Sequence, residues 1–423
     1  MEPFVEQFHT SVVGALWPAA HAVPGWLVVC VGYSVGGALC LAWMALMAMA
    51  WTYGERRIAG FIQVRLGPNR VGPMGLLQPL ADGIKLLTKE DVAPAAAFKI
   101  LYTLAPLLVF LGAFIPFVAL PFSGRLVVAN MELGLYYVLA FEAIEVIGIL
   151  MAGWAPGSKW SLYGGMRLAA QLLSYEIPMG LCALVIIVLS GSLNLAEIVR
   201  WQAGPVSLFG LTTIHNPVLT GVLGWAIFRS PAALVAFVIF YVGGLAAAKR
   251  APFDLPEAES ELVAGYHTEY SGMRFAFFFM AEYAAMYVIC ALAAILFLGG
   301  WHGPIPRPEV PASATLIGNW TTYVAHWNAA QLVALPWWRK VGVFSMTLGS
   351  ALLQGSGPRI LLREAIGTLN LLLKAFGLYF IMIWIRWTLP RIRIDQVMYL
   401  CLKVLLPFAL VCVLWAILQA ALF

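Results

Sequence analysis

The sequence predicts an all-α polytopic membrane protein with about eight transmembrane helices and one short amphipathic helix lying in the membrane interface. Three observations carry this reading. Charged residues make up 11% of the 423 residues and hydrophobic residues 62%, whereas a soluble chain carries about 25% charged residues. Apolar runs long enough to cross a bilayer, roughly 20 residues each, recur along the chain. The Lys and Arg residues between those runs fall mostly on one side.

The chain opens with residues 1–23, which carry Glu2 and Glu6 and no Lys or Arg. A cleaved signal has a basic start, so these residues do not read as one. The first apolar run, near Trp26 to Thr52, is long enough to span and stay. The predicted spans are 25–52, 97–121, 133–154, 170–191, 231–249, 274–299, 364–388 and 397–422. No internal repeat and no Gly/Ser linker divides the chain, so 1–423 reads as a single membrane domain.

Eight spans place four loops on one side: 53–99, 155–169, 249–274 and 386–403. They hold 16 of the 25 Lys and Arg residues. The positive-inside rule puts them in the cytoplasm and both termini outside. The modest net charge of +5 therefore reflects membrane topology and gives no reason to expect nucleic acid as a partner.

The first cytoplasmic loop, 53–99, mixes charge with apolar residues. Leu76, Leu77, Leu80, Ile84 and Leu87 recur at spacings of mostly three or four. That stripe predicts a short helix in the interface. On the outer side, 193–230 and 300–363 are longer insertions. The second is rich in Trp and Pro and reads as structural. The six cysteines (Cys30, Cys40, Cys182, Cys290, Cys401 and Cys412) are scattered through apolar stretches without metal-ligand spacing. They read as small packing residues, with no metal in this chain.

Carboxyl groups carry the functional signal. Glu142, Glu145, Glu176 and Glu282 fall inside predicted spans. A charge at mid-bilayer costs about 2.5–3.5 kcal/mol on insertion scales. Burial disfavours the charged form of a carboxyl, which suits such groups to proton exchange. Glu142 and Glu145 are three residues apart and share a helix face. Lys374, the single cation predicted inside a span, either pairs with one of these carboxylates or snorkels.

A second acidic concentration lies in "RAPFDLPEAESELVAGYHTEYSG", residues 250–272. It holds Asp254, Glu257, Glu259, Glu261 and Glu269, a quarter of all the acids. Glu257 and Glu261 share a face if "PEAESEL" is helical, with Pro256 suited to a first turn. Lys249 and Arg250 offer cations to hold Asp254 or a glutamate. The segment reads as an acidic funnel at the wet end of a proton path.

Four stretches together resemble one family. They are "GERRIAGFIQVRLGPNRVGPMGLLQPLADGIKLLTKED", "AGWAPGSKWSLYGGMRLAAQLLSYE", "RAPFDLPEAESELVAGYHTEYSGMRFAFFFMAEY" and "WIRWTLPRIRIDQVMYLCLKVLLP". The family is the quinone-site membrane subunit, known as the H subunit, of proton-pumping NADH:quinone oxidoreductase. The resemblance covers most of the membrane region and leaves out the outer insertions.

It implies a subunit with quinone as substrate and no redox centre of its own, in the bacterial cytoplasmic membrane. Its implied partners are peripheral iron–sulfur and quinone-site subunits, small membrane-arm and antiporter-like subunits, and membrane lipids. By motif, Arg56, Arg65, Gln78, Asp82 and Glu90 fall near the quinone entrance, with Arg250 at the chamber. Asp254, Glu257, Glu259 and Glu261 lead from it, and Glu176 and Glu282 continue the coupling path in the membrane.

One departure stands out. The family pattern "ETNRAPFD" here reads "AAKRAPFD", so its glutamate falls on Ala247 and its asparagine on Lys249. Glu142 and Glu145 lie where family members usually have uncharged residues, and are expected to replace the missing proton carrier. Two other classes remain open at this point. One is the equivalent subunit of an energy-converting hydrogenase or a related ferredoxin- or F420-linked complex. The other is a stand-alone ion transporter, which inverted repeats would favour.

Overall fold

A computed structural model describes residues 25–204, 206–208, 212–214, 223–256, 259–305, 307 and 357–422. It is an all-α bundle apart from one two-stranded hairpin, β1 (Val206–Leu208) paired antiparallel with β2 (Thr212–Ile214). Seven of the described helices are long and apolar enough to cross a membrane.

The first is α1 (Gly25–Ile62), which runs ten residues past the predicted end at 52. Its last turns therefore carry Glu55, Arg56 and Arg57 on a continuous helix. The interfacial helix is α2 (Gln78–Thr88). Leu76, Leu77, Leu80, Ile84 and Leu87 are all exposed, as a stripe that faces away from the bundle requires. Arg57 Nη1 and the Tyr53 hydroxyl both donate to the Met74 carbonyl at 3.0 Å. These bonds pin the turn that leads into α2.

Next come α3 (Lys99–Phe114), the short α4 (Pro116–Ala119), α5 (Gly134–Trp154) and α6 (Lys159–Ser190). α3 and α5 pack backbone to backbone. A Cβ on Gly112 would lie 2.8 Å from Glu145 N, and one on Gly148 would lie 2.7 Å from a Val109 methyl. Small residues allow this closeness, which in membranes supplies the packing energy between helices. α6 is 32 residues long, so it begins eleven residues before the predicted span.

The 193–230 insertion folds into α7 (Leu195–Gln202), the hairpin and α8 (Ala226–Arg229). Asn194 caps α7, its Oδ1 accepting from Ala196 N at 2.9 Å. Then α9 (Pro231–Ala247) has 17 residues. That is about 25 Å at 1.5 Å per residue, a little under a hydrocarbon core of about 30 Å. It is two residues shorter than predicted because the chain turns at Lys249, whose φ is +53°.

After the single turn α10 (Glu259–Leu262), α11 (Gly272–Phe297) threads the centre of the bundle. From Ala281 to Phe297 every side chain on it is buried. A helix apolar all round is expected to sit in this way. The last spans are α12 (Gly357–Thr388), and α13 (Ile394–Tyr399) continued through a π-helical stretch (Leu400–Leu405) into α14 (Leu406–Leu422). Most of the 300–363 insertion lies outside the described residues.

Candidate functional site

Buried charges gather where the end of α1, the turn after α9, the first half of α11 and the end of α12 meet. Glu55 projects from α1. Its Oε1 accepts from Arg386 Nη1 on α12, and its Oε2 accepts from the Tyr283 hydroxyl at 2.8 Å. Arg250 Nη2 lies 3.1 Å from Glu282 Oε1 and 3.6 Å from Glu55 Oε2. The Arg250 guanidinium also stacks on the Tyr283 ring at 4.8 Å. Glu55, Glu282 and Arg250 are each about 10% exposed or less at the side chain. The result is a run of alternating charge, Arg386, Glu55, Arg250 and Glu282. Each buried ion there has an opposite neighbour, which is the condition for tolerating burial at all.

Sequence reasoning offered Arg250 to Asp254 or a glutamate, and the glutamates hold it. Asp254 is taken by Arg391, at 3.4 Å. Glu55 and Arg386 were missed as site residues. Glu55 was visible only as an acid three residues past the predicted end of a span, and nothing local marks an arginine 331 positions away as its partner.

One residue before Arg250, the Lys249 side chain enters the bundle in the other direction. Its Nζ lies 2.5 Å from Glu145 Oε1 on α5, and the two side chains are 3% and 11% exposed. Beside it, His267 sits buried against Tyr266 and Phe278 in the turn before α11. Burial, and secondarily the Lys249 charge, push the His267 imidazole down to about 3. It is therefore neutral at physiological pH.

Glu142 and Glu176 are half-buried on α5 and α6. Glu142 lies within electrostatic reach of Glu145 and Glu176. Among the described residues, neither Glu142 nor Glu176 has a hydrogen-bond or ion-pair partner. Two helix irregularities flank Glu176. Pro178 lies inside α6 two residues later, and the π-helical stretch 400–405 packs against the same helix. Both devices free backbone groups inside a bundle and recur at functional sites.

The first loop builds a separate, wetter cluster. Arg56 Nη1 lies 2.5 Å from Asp82 Oδ2, Gln78 donates to Asp82 Oδ1 at 3.2 Å, and Lys85 stands 3.8 Å away. Partial burial raises the Asp82 carboxyl, but the Arg56 bond and charge, with Gln78 and Lys85, hold it below the usual range. Arg65 does not join them, since its Nε donates to Gln63 at 2.5 Å in the exposed turn after α1. The Glu90 side chain is exposed, while its carbonyl accepts from Ser271 Oγ at 3.3 Å.

In the acidic loop Glu261 pairs with Arg167 at 2.5 Å, which lowers its carboxyl first by that bond and then by charge. Glu257 and the Glu259 side chain lie outside what is described. The described helical turn there covers only 259–262.

Lys374 does neither of the things expected of it. It stays buried and donates to the carbonyls of Leu298 (2.5 Å), Gly300 (2.9 Å) and His302. Leu298 is the C-cap of α11 and the other two carbonyls lie in the turn after it, so the ammonium sits at a helix C-terminus, where a cation is favoured.

A family model described as NADH dehydrogenase matches residues 36–417. The chain belongs to that family. A relative from Chlorobaculum tepidum, named as the H subunit of NADH-quinone oxidoreductase, is 42% identical over 388 residues, covering 92% of this chain and 91% of the relative. An H subunit from Anaeromyxobacter dehalogenans is 41% identical over 411 residues, covering 96% and 84%. An H subunit from Cytophaga hutchinsonii, the one numbered 2, is 38% identical over 380 residues, covering 88% and 94%. Family membership thus extends across every cluster described above.

Proposed function

We propose that this chain is the quinone-site membrane subunit of a proton-pumping NADH:quinone oxidoreductase in a bacterial cytoplasmic membrane, with both termini on the outer side. Its first loop, with Arg56, Arg65, Gln78, Asp82 and Glu90, borders the quinone entrance, and Arg250 closes the inner end of the chamber. Asp254, Glu257, Glu259 and Glu261 lead protons in. Glu282, Glu176 and the Glu142/Glu145 pair carry them into the membrane. The chain's partners are the peripheral iron–sulfur and quinone-site subunits, the small and antiporter-like membrane subunits, and lipids.

The observation that supports this best is the run Arg386–Glu55–Arg250–Glu282, in which Arg386 is partly exposed and the other three are nearly sealed from solvent. Quinone reduction consumes two protons and changes the charge of whatever sits above that run. An added or removed negative charge alters the pull on Arg250, and so the balance between Glu55 and Glu282. Such a run can shift protons without any covalent chemistry in this chain. The relatives are named as H subunits of NADH-quinone oxidoreductase, which agrees with this reading.

The test is purification of the tagged chain in mild detergent, with assays on what accompanies it. Flavin and iron–sulfur subunits with inhibitor-sensitive NADH:quinone activity are expected. In liposomes, Glu282→Gln should lower protons pumped per electron by tenfold or more. A nickel–iron hydrogenase in the preparation, without NADH activity, would overturn the reading.

A further inference from the structure

Glu142 and Glu145 lie one helical turn apart on α5, yet their surroundings differ. Glu145 is buried, and its backbone is clamped by the close approach of Gly112 on α3. Its carboxylate meets Lys249 at 2.5 Å. Glu142 is half-buried, has no ion-pair or hydrogen-bond partner among the described residues, and is within electrostatic reach of Glu176 on α6.

Lys249 is itself an unusual residue. It holds a left-handed backbone at φ +53°, which a non-glycine residue adopts only when its surroundings impose it. Its side chain is almost fully buried and lies over the Tyr266 ring at 5.8 Å. The residue that follows is Arg250, which reaches Glu282 and Glu55. Two successive cations on one turn thus point to two carboxylate groups on different helices.

We propose that Lys249 is a positioning residue: its ion pair with Glu145 locks the turn that delivers Arg250, and leaves Glu142, with Glu176, as the carboxyls that exchange protons. Glu145 then serves as a fixed counter-charge. The pair holds two helices in register, and the proton-exchanging role passes to the carboxyl one turn deeper along α5. This rests on the coupling role proposed above and narrows it: of the Glu142/Glu145 pair, Glu142 carries the proton and Glu145 only holds Lys249.

The physical basis is the asymmetry of buried ion pairs. Removing one partner strands a charge, whereas removing both with neutral residues of similar size leaves nothing stranded. The experiment uses the whole complex, assembled with Glu145→Gln, Lys249→Met, the two combined, or Glu142→Gln. Assembled complex is quantified on native gels, and protons pumped per electron are measured in liposomes.

Each single change at 145 or 249 should cut assembled complex at least fivefold. The combined change should restore it to half of wild type or more, with pumping per electron within about twofold. Glu142→Gln should assemble normally and lose at least tenfold in pumping per electron. The proposal is overturned if the combined variant assembles but does not pump, because Glu145 would then be a carrier. It is also overturned if the single variants assemble like wild type, or if Glu142→Gln pumps normally. Failure of the wider coupling reading looks different: Glu282→Gln, a carboxyl outside this proposal, would pump normally too, while the assembly pattern at 145 and 249 still held.

Discussion

Arg250 Nη2 on the turn after α9 lies 3.1 Å from Glu282 Oε1 on the central helix α11, with both side chains nearly sealed from solvent. The same guanidinium touches Tyr283 and reaches toward Glu55. One residue therefore ties together three helices of the bundle.

Arg250→Met should consequently be far more damaging than its conservative size suggests. Stranding a buried carboxylate costs about 3–5 kcal/mol. The expected result is loss of most assembled complex, or a thermal midpoint lowered by many degrees in detergent. A fluorescence-detected gel-filtration melt reads it, and an unchanged melt would show that the ion pair contributes nothing.

The buried imidazole of His267 imposes a pH dependence on stability. Its pKa is about 3 in the fold and about 6.5 when unfolded. The folded value is the lower one, so the neutral ring's contribution is complete above about pH 6.5 and is lost as pH falls toward 3. The loss is about 1.4 kcal/mol per pH unit in that window, or roughly 2 kcal/mol at pH 5. His267→Gln should flatten the decline in thermal midpoint between pH 7 and pH 5. An equally steep decline in the variant would assign the slope to other groups.

The first-loop cluster should respond at lower pH. Asp82 is held below the usual carboxylate range, so its contribution is present above about pH 4 and is lost as pH falls through its folded value. Acidification from pH 7 to 5 should leave the protection of the amides in residues 78–88 unchanged, once the intrinsic slowing of exchange at lower pH is divided out. Asp82→Asn should lower that protection between pH 7 and 5, by the modest amount a partly exposed ion pair supports, about 0.2–1 kcal/mol.

Gly164 on α6 sets the position of the acidic loop. A Cβ there would lie 2.7 Å from Tyr266 N and 2.9 Å from Gly265 backbone atoms. Backbone cannot yield as a flexible side chain would, so Gly164→Ala should cost about 1–3 kcal/mol as overpacking. Protease sensitivity of residues 250–272 in the assembled complex is the readout. Gly180→Ala is the control on the same helix, where the added methyl meets no atom within 4 Å.

The membrane class, the positions of the spans, the interfacial stripe on α2 and the family motifs were all legible in the residues. Hydropathy and periodicity are local properties, and a span or an amphipathic turn needs only its own residues to declare itself. Span ends were less legible. Apolar content does not mark where a helix continues into polar surroundings, as α1 does through Glu55–Arg57 and α6 does from Lys159.

The sequence by itself determined that acids sit inside the membrane region, and which loops carry the cations. Only the tertiary structure decided the pairing. Glu142 and Glu145 are equivalent as letters three residues apart, but Lys249 selects one of them from 104 positions away. Lys374 found the carbonyls at the end of α11 in place of a carboxylate. The reason is physical: an ion pair is made by the packing of distant helices, so its partners obey no spacing along the chain. Only the fold states which charge each buried ion meets.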